Sequence, residues 1–161
     1  MNIFYLSKNP SKCAEFHCDK HVVKLILEIA QMLSTAHHME NSKYKSKVYK
    51  PTHVNHPCTK WVRESKENYA WTYKFFLALC KEYTKRYKRK HVAENLKRYL
   101  EHNPCKQKGM TTRPQCMPDK YKSKNPIIAY RNYYIGEKMR FAKWNHGKLP
   151  FWVRAKNETF L

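Results

Sequence analysis

Glycine is nearly absent from this chain, with three in 161 residues. None of the three stands in a phosphate-cradling pattern, which excludes the glycine-loop nucleotide triphosphatases. Acidic residues are also scarce, 12 against 33 lysines and arginines. No paired-carboxylate pattern suggests a two-metal nuclease, and no serine elbow is present. No run of about 18 apolar residues exists, so no span of a bilayer is expected. Met1 to Leu6 is short and is followed at once by lysine, asparagine and proline, so no secretory signal is expected either. Convincing alternation of apolar and polar residues is missing, which leaves an all-α reading.

What the chain has in excess is positive charge, a formal +21. A surface this basic attracts polyanions, and nucleic acid leads because lysine and arginine release counterions from phosphates. Aromatics make up 14% of the chain and recur at helical spacings, which argues for a packed core rather than disorder. The length suits one domain, residues 1–161. Six cysteines without an export signal are expected as reduced thiols in the cytoplasm.

MNIFYL at residues 1–6 reads as a packed, extended start. Asn9-Pro10-Ser11 opens a first helix expected to run from about Ser11 to His38. Residues 39–52 read as a basic loop. Asn55-His56-Pro57 opens a second long helix ending within Tyr83–Lys90, and a shorter one covers Val92–His102. Residues 103–124 read as irregular. Asn125-Pro126 starts a last helix reaching Trp144, and Asn145–Leu161 reads as mostly irregular. The expectation is a bundle of about four helices with long irregular basic loops.

Chemistry concentrates on the first helix. His17, His21, Lys24, Glu28, Gln31, Thr35 and His38 alternate steps of four and three residues, so they form one polar seam. Glu28 is its lone acid. A carboxylate held among cations in a partly dry pocket can stabilise developing positive charge or move a proton. A plain alternative is a Lys24–Glu28 surface pair on an amphipathic helix. Cys13, His17, Cys18 and His21, with the stretch Thr52–Cys58, supply enough ligands for zinc, though the same residue types are ordinary core and cap material. The site expected here contains no metal and no cofactor. The segment Tyr130–Trp144 interleaves aromatics with Arg131, Lys138 and Arg140, a composition that grips phosphates and stacks bases. Tyr133 and Tyr134 are separated by about 100° on a helix, so one should face inward and the other outward.

Nearly the whole chain resembles a family of proteins encoded by large phages and related viruses, through HCDKHVVK, QMLSTAHH, YKPTHVNHPCTKWVRES, MPDKYK and AYRNYYIGEK. Asp19-Lys20-His21 followed by Glu28, together with the basic aromatic stretch Tyr130–Lys138, is also similar to the phage pyrimidine-dimer DNA glycosylases. That resemblance implies a small, basic, all-helical enzyme that flips a nucleotide, breaks its glycosidic bond and nicks by β-elimination. It makes Glu28 the carboxylate supporting the sugar cation and His21 a phosphate or substrate contact. The family uses the α-amine of a processed N-terminal threonine; here Met1-Asn2 begins the chain, so the Met1 amine, Lys20 or Lys24 takes that place, or Glu28 activates water.

The resulting expectation is a DNA repair glycosylase with AP-lyase activity, acting on damaged or modified pyrimidines in double-stranded DNA. Its catalytic residues are Glu28, His21 and Met1. DNA contacts come from His17, Lys20, Lys24, Arg63, Arg131, Tyr134, Lys138 and Arg140. It is expected as a monomer, off the membrane, in the cytoplasm of an infected host cell. The alternatives are a non-enzymatic basic nucleic-acid-binding viral protein and an enzyme acting on hypermodified viral bases.

Overall fold

In the computed structural model, which describes residues 1–158, two long helices cross at the centre and shorter ones close around them. The order is α1 (Pro10–Phe16), α2 (Asp19–Met39), α3 (Pro57–Glu64), α4 (Lys66–Tyr87), α5 (Lys97–Leu100), α6 (Pro126–Tyr133) and α7 (Phe151–Glu158). Short 3₁₀ turns and a π-helical turn at Tyr134–Lys138 link them, and no strand occurs among the described residues. The all-helical expectation holds, with seven α-helices among the described residues rather than about four.

The starts follow from local chemistry. Asn9 accepts from Lys12 N–H (3.0 Å) and Asn125 from Ile127 N–H (3.0 Å), each with proline at the next position. His56 Nδ1 caps α3 by accepting from Cys58 N–H (3.1 Å).

The two long helices expected from the sequence are each broken once. The second breaks at Ser65, whose extended backbone lets its hydroxyl cap α4 through Asn68 N–H (3.1 Å). The first breaks at His17–Cys18, where neither proline nor glycine stands. Distant groups hold that break. Cys18 N–H donates to Tyr134 Oη (2.9 Å), Asp19 N–H to the Lys143 carbonyl (2.8 Å), and Arg86 to the carbonyls of His17 (2.9 Å) and Glu15 (3.0 Å). The last helix is likewise shorter than expected, ending its α-helical course at Tyr133 before the π turn. The segment after residue 145, expected to be irregular, contains α7, because Trp152 and Val153 bury against the core. Positions 159–161 of that segment lie outside the described residues.

One core joins these parts. From α2 it takes Val22, Leu25, Ile26, Ile29, Met32 and Leu33, and from α4 Phe75, Phe76 and Leu79. The chain start packs into it through Ile3, Phe4 and Leu6. Residues 103–124 are irregular as expected but firmly anchored. The Arg113 guanidinium lies 3.5 Å from the Tyr5 ring, 3.8 Å from Trp71 and 4.2 Å from Trp61.

Arg86 is the tightest node. Its side chain is wholly buried and pairs with Asp19 (3.0 Å) and Glu82 (3.0 Å). Gly147 packs so closely over the guanidinium that a Cβ there would collide with it. Removing one member of such a buried network strands the other charges. Arg86→Ala should therefore lower the unfolding free energy by about 3–5 kcal/mol in urea titrations. Lys85→Ala, which loses only an exposed contact to the same glutamate (3.9 Å), should cost under about 1 kcal/mol.

Candidate active site

A cleft of about 360 Å³ opens between the chain start, the N-terminal half of α2 and the segment 133–141. Met1, Asn2 and Phe4 line one side, Lys20, His21, Lys24 and Glu28 the floor, and Tyr133, Lys138 and Phe141 the far wall. All three residues expected to carry chemistry, Met1, His21 and Glu28, thus border one cavity. The long polar seam divides in two. Its later members turn to the loop before α3, where Thr35 accepts from Thr52 N–H (3.2 Å) and His38 Nε2 meets the Tyr49 carbonyl (3.1 Å).

His21 is clamped by rings. It stacks on Phe4 (4.8 Å) and meets Tyr134 (5.2 Å) and Phe141 (5.5 Å) edge-on. Burial, then Lys138, Lys24 and Lys20, push its pKa down to about 4, so it is neutral at physiological pH. Its Nδ1 is buried without a hydrogen-bond partner. An orphaned lone pair is more readily tolerated than an orphaned N–H, which favours the tautomer with Nε2–H. A neutral imidazole among lysines offers a hydrogen bond without adding charge.

The Glu28 side chain retains 13% of its exposure and lies 3.4 Å from Lys24 Nζ. Lys24 itself is 63% exposed, so the pair is a loose one, from which the ammonium can turn to an incoming phosphate. Lys138 projects from the π turn, a rare geometry concentrated at functional sites, with Nζ 4.7 Å from the Tyr133 ring and 5.7 Å from Phe4. Lys20 (4.9 Å) and Arg140 (5.6 Å) both lie over the Phe141 ring.

The chain start is held in register. Asn2 donates to the Cys116 carbonyl (2.9 Å) and accepts from Tyr130 Oη (3.2 Å), while Met1 Sδ accepts from the Thr59 hydroxyl (3.6 Å). These bonds hold Met1 and Asn2 at the edge of the cleft.

Four of the expected DNA contacts are placed elsewhere. His17 is fully buried, with Nδ1 2.6 Å from the Cys13 carbonyl and the pKa lowered to about 3 by burial. Tyr134 is also fully buried and caps the break before α2. Its neighbour Tyr133 is the one that reaches the cleft, so one of the pair faces inward and one outward, and the residue expected as a DNA contact is the buried one. Arg131 gives two hydrogen bonds to the Leu6 carbonyl (3.0 and 2.9 Å) and sits over Phe16, Phe151 and Trp152. Arg63 donates to the Val54 carbonyl (2.8 Å) and borders a separate groove with Glu64 and Trp61. These four support the fold; Lys20, Lys24 and Lys138 line the cleft, and Arg140 lies next to it over Phe141.

Sequence reasoning missed Asn2 and Phe4, and held Tyr133 and Phe141 within the basic aromatic segment without singling them out as site residues. The signal for Phe4 was its place in an apolar start; for Phe141 no local pattern distinguishes wall from core. The zinc grouping of Cys13, His17, Cys18 and His21 with Thr52–Cys58 does not assemble as drawn. Cys13 Sγ donates to the Phe4 carbonyl (3.4 Å) and its pKa is raised to about 11 by burial. The group that does gather is His56, Cys58 and Cys116, whose ligand atoms lie within 4.8 Å of one another.

A basic helical protein with an acid, a neutral histidine and several lysines around one cleft has the equipment of a DNA-processing enzyme. The pyrimidine dimer DNA glycosylase family matches this chain over residues 1–95, more than half its length, and the chain belongs to that family. No curated protein and no solved structure matches it. The matched part holds Met1, His21 and Glu28, while the facing wall at Tyr133, Lys138 and Phe141 lies beyond it. No helix among the described residues is long and apolar enough to cross a membrane.

Acid should expose the buried histidines. His17, His21 and His37 have pKa values lowered to about 3, 4 and 4, each chiefly by burial. Between those values and the ordinary 6.5 the unfolded chain binds more protons than the folded one, so stability falls as the pH drops through that window. Thermal melts should show Tm declining steadily from about pH 6.5 to about pH 4. In NMR titrations the His21 ring should still report neutral at about pH 5.5; a midpoint near 6.5 would disprove its desolvation.

Proposed function

We propose that this protein excises a damaged or modified pyrimidine from double-stranded DNA and then nicks the strand at the same site. The observation carrying the proposal is the convergence of Met1, His21 and Glu28 on one lysine-rimmed cleft. The +21 charge supplies capture of the duplex, and flipping brings the nucleotide within reach of groups that cannot act inside the stack. Tyr133 and Phe141 offer ring faces to the displaced nucleotide; Lys20, Lys24, Lys138 and Arg140 take the phosphates.

The Met1 amine attacks C1′ as the glycosidic bond breaks, and the departing base leaves with the bonding pair and is protonated. Glu28 faces the positive charge that builds on the sugar ring during this step. The secondary amine then expels the ring oxygen to give an imine, losing its proton. Loss of a C2′ proton to a base in the cleft drives β-elimination of the 3′ phosphate, and water hydrolyses the imine to free the enzyme. His21, through Nε2–H, hydrogen-bonds a phosphate oxygen or the sugar and holds the nucleotide in line.

Three measurements test this. Glu28→Gln should slow base release by about 10²–10⁴-fold, a typical acid–base contribution, while duplex affinity changes less than about threefold. Borohydride should trap a covalent adduct on lesion-containing or abasic duplex, mapping to the peptide that begins at Met1. An adduct on Lys20 or Lys24 would move the nucleophile, and base release without any adduct would leave Glu28 activating water. No release from any lesion or modified-base duplex, with Glu28→Gln equal to wild type, would leave only a basic DNA binder. Affinity for undamaged duplex should fall with salt at a log–log slope of about −5 to −10.

A further inference from the structure

Next to the chain start lies a second group of chemically able side chains. His56 ends the loop before α3, Cys58 sits in its first turn, and Cys116 comes from the irregular segment ahead of α6. Their ligand atoms lie within 4.8 Å of one another. The two sulfurs are 3.7 Å apart. Thiolates bound at about 2.3 Å to one tetrahedral zinc are separated by about 3.8 Å, so the pair already spans an edge of that tetrahedron. Cys58 Sγ is also 3.5 Å from Asn2 Oδ1, close to the sulfur–oxygen edge of about 3.6 Å in the same geometry. None of the other cysteines, Cys13, Cys18, Cys80 and Cys105, shares such a cluster among the described residues.

We propose that His56, Cys58 and Cys116 bind one zinc ion, with the fourth position open toward Asn2. The metal replaces two thiol protons and engages the histidine as a neutral ligand. His56 Nδ1 now accepts from Cys58 N–H, so zinc takes that lone pair or its binding at Nε2 shifts the ring proton; either way the cap bond is given up for a stronger one. The ion links two separate stretches of chain, the head of α3 and the approach to α6, right beside the chain start. Asn2 adjoins Met1, so the metal would also stiffen the segment bearing the cleft's amine. The proposal does not rest on the glycosylase chemistry above and stands or falls on metal binding.

The test uses the full chain, reduced and stripped with a chelator, then titrated with zinc and separately with cobalt(II). Zinc should bind at one equivalent per chain and raise Tm. It should slow alkylation of Cys58 and Cys116 by iodoacetamide at least about tenfold under saturation. Cobalt should give an intense thiolate charge-transfer band that Cys116→Ser and His56→Ala weaken or abolish. Because wild-type alkylation and metal content are read directly, misfolding of a variant does not blunt the test. Less than about a tenth of an equivalent of zinc after reconstitution would overturn the proposal, taking full occupancy as the mass-action limit. So would a cobalt band unchanged in Cys116→Ser. A Cys58–Cys116 disulfide in the isolated protein, with no zinc uptake after reduction, would overturn it in favour of a redox pair.

Discussion

The break between α1 and α2 sets the position of everything at the cleft, and a buried guanidinium keeps it in place. Arg86 reaches from the end of α4 to the carbonyls of Glu15 and His17 and to the Asp19 carboxylate. Asp19 in turn accepts from His146 N–H (3.2 Å), drawing in the segment after the π turn. Were α1 and α2 continuous, His17 would extend the polar seam outward. With the break, His17 drops into the core and the accessible part of the seam begins at Lys20 and His21. A charge so deeply buried is tolerated because two carboxylates and two carbonyls surround it.

The electrostatics of the cleft follow from that placement. The rest of the surface is so cationic that one partly shielded carboxylate is a local exception, and it stands opposite the lysine of the π turn. Lys24 is its loose partner. Burial keeps His21 neutral, so it adds no further repulsion to the ring of lysines and can hydrogen-bond where a cation would compete for phosphate. The acid and histidine share the α2 side of the cleft with Lys20 and Lys24, and Lys138 faces them from the other wall.

Much of this was legible along the chain. Asn9-Pro10, His56-Pro57 and Asn125-Pro126 mark helix starts through local capping, so they need no tertiary knowledge. Glu28 stands out because an acid is rare here, and His21 lies seven residues before it on the same face. What stayed hidden depends on partners far away in sequence. The break at His17–Cys18 is imposed by Tyr134, Lys143 and Arg86, none of which leaves a mark beside Cys18. Arg131 and Arg63 look like surface cations, yet each is committed to a backbone carbonyl. Tyr134 and Tyr133 differ in composition by nothing at all; only the docking of α6 decides which one is buried. α7 went unread because, among its described side chains, only Trp152 and Val153 are buried.

The two walls of the cleft are more than a hundred residues apart along the chain: Met1, His21 and Glu28 on one side, Tyr133, Lys138 and Phe141 on the other. Closing so large a loop is entropically costly, and the contacts that reward it form late. A nascent or partly folded chain that has already paired α2 with α4 would thus still be a flat, lysine-studded surface with no pocket. Excursions that lift the C-terminal segment away would erase the cavity while leaving the central helices intact, a sub-global opening that switches the site on and off with the last act of folding.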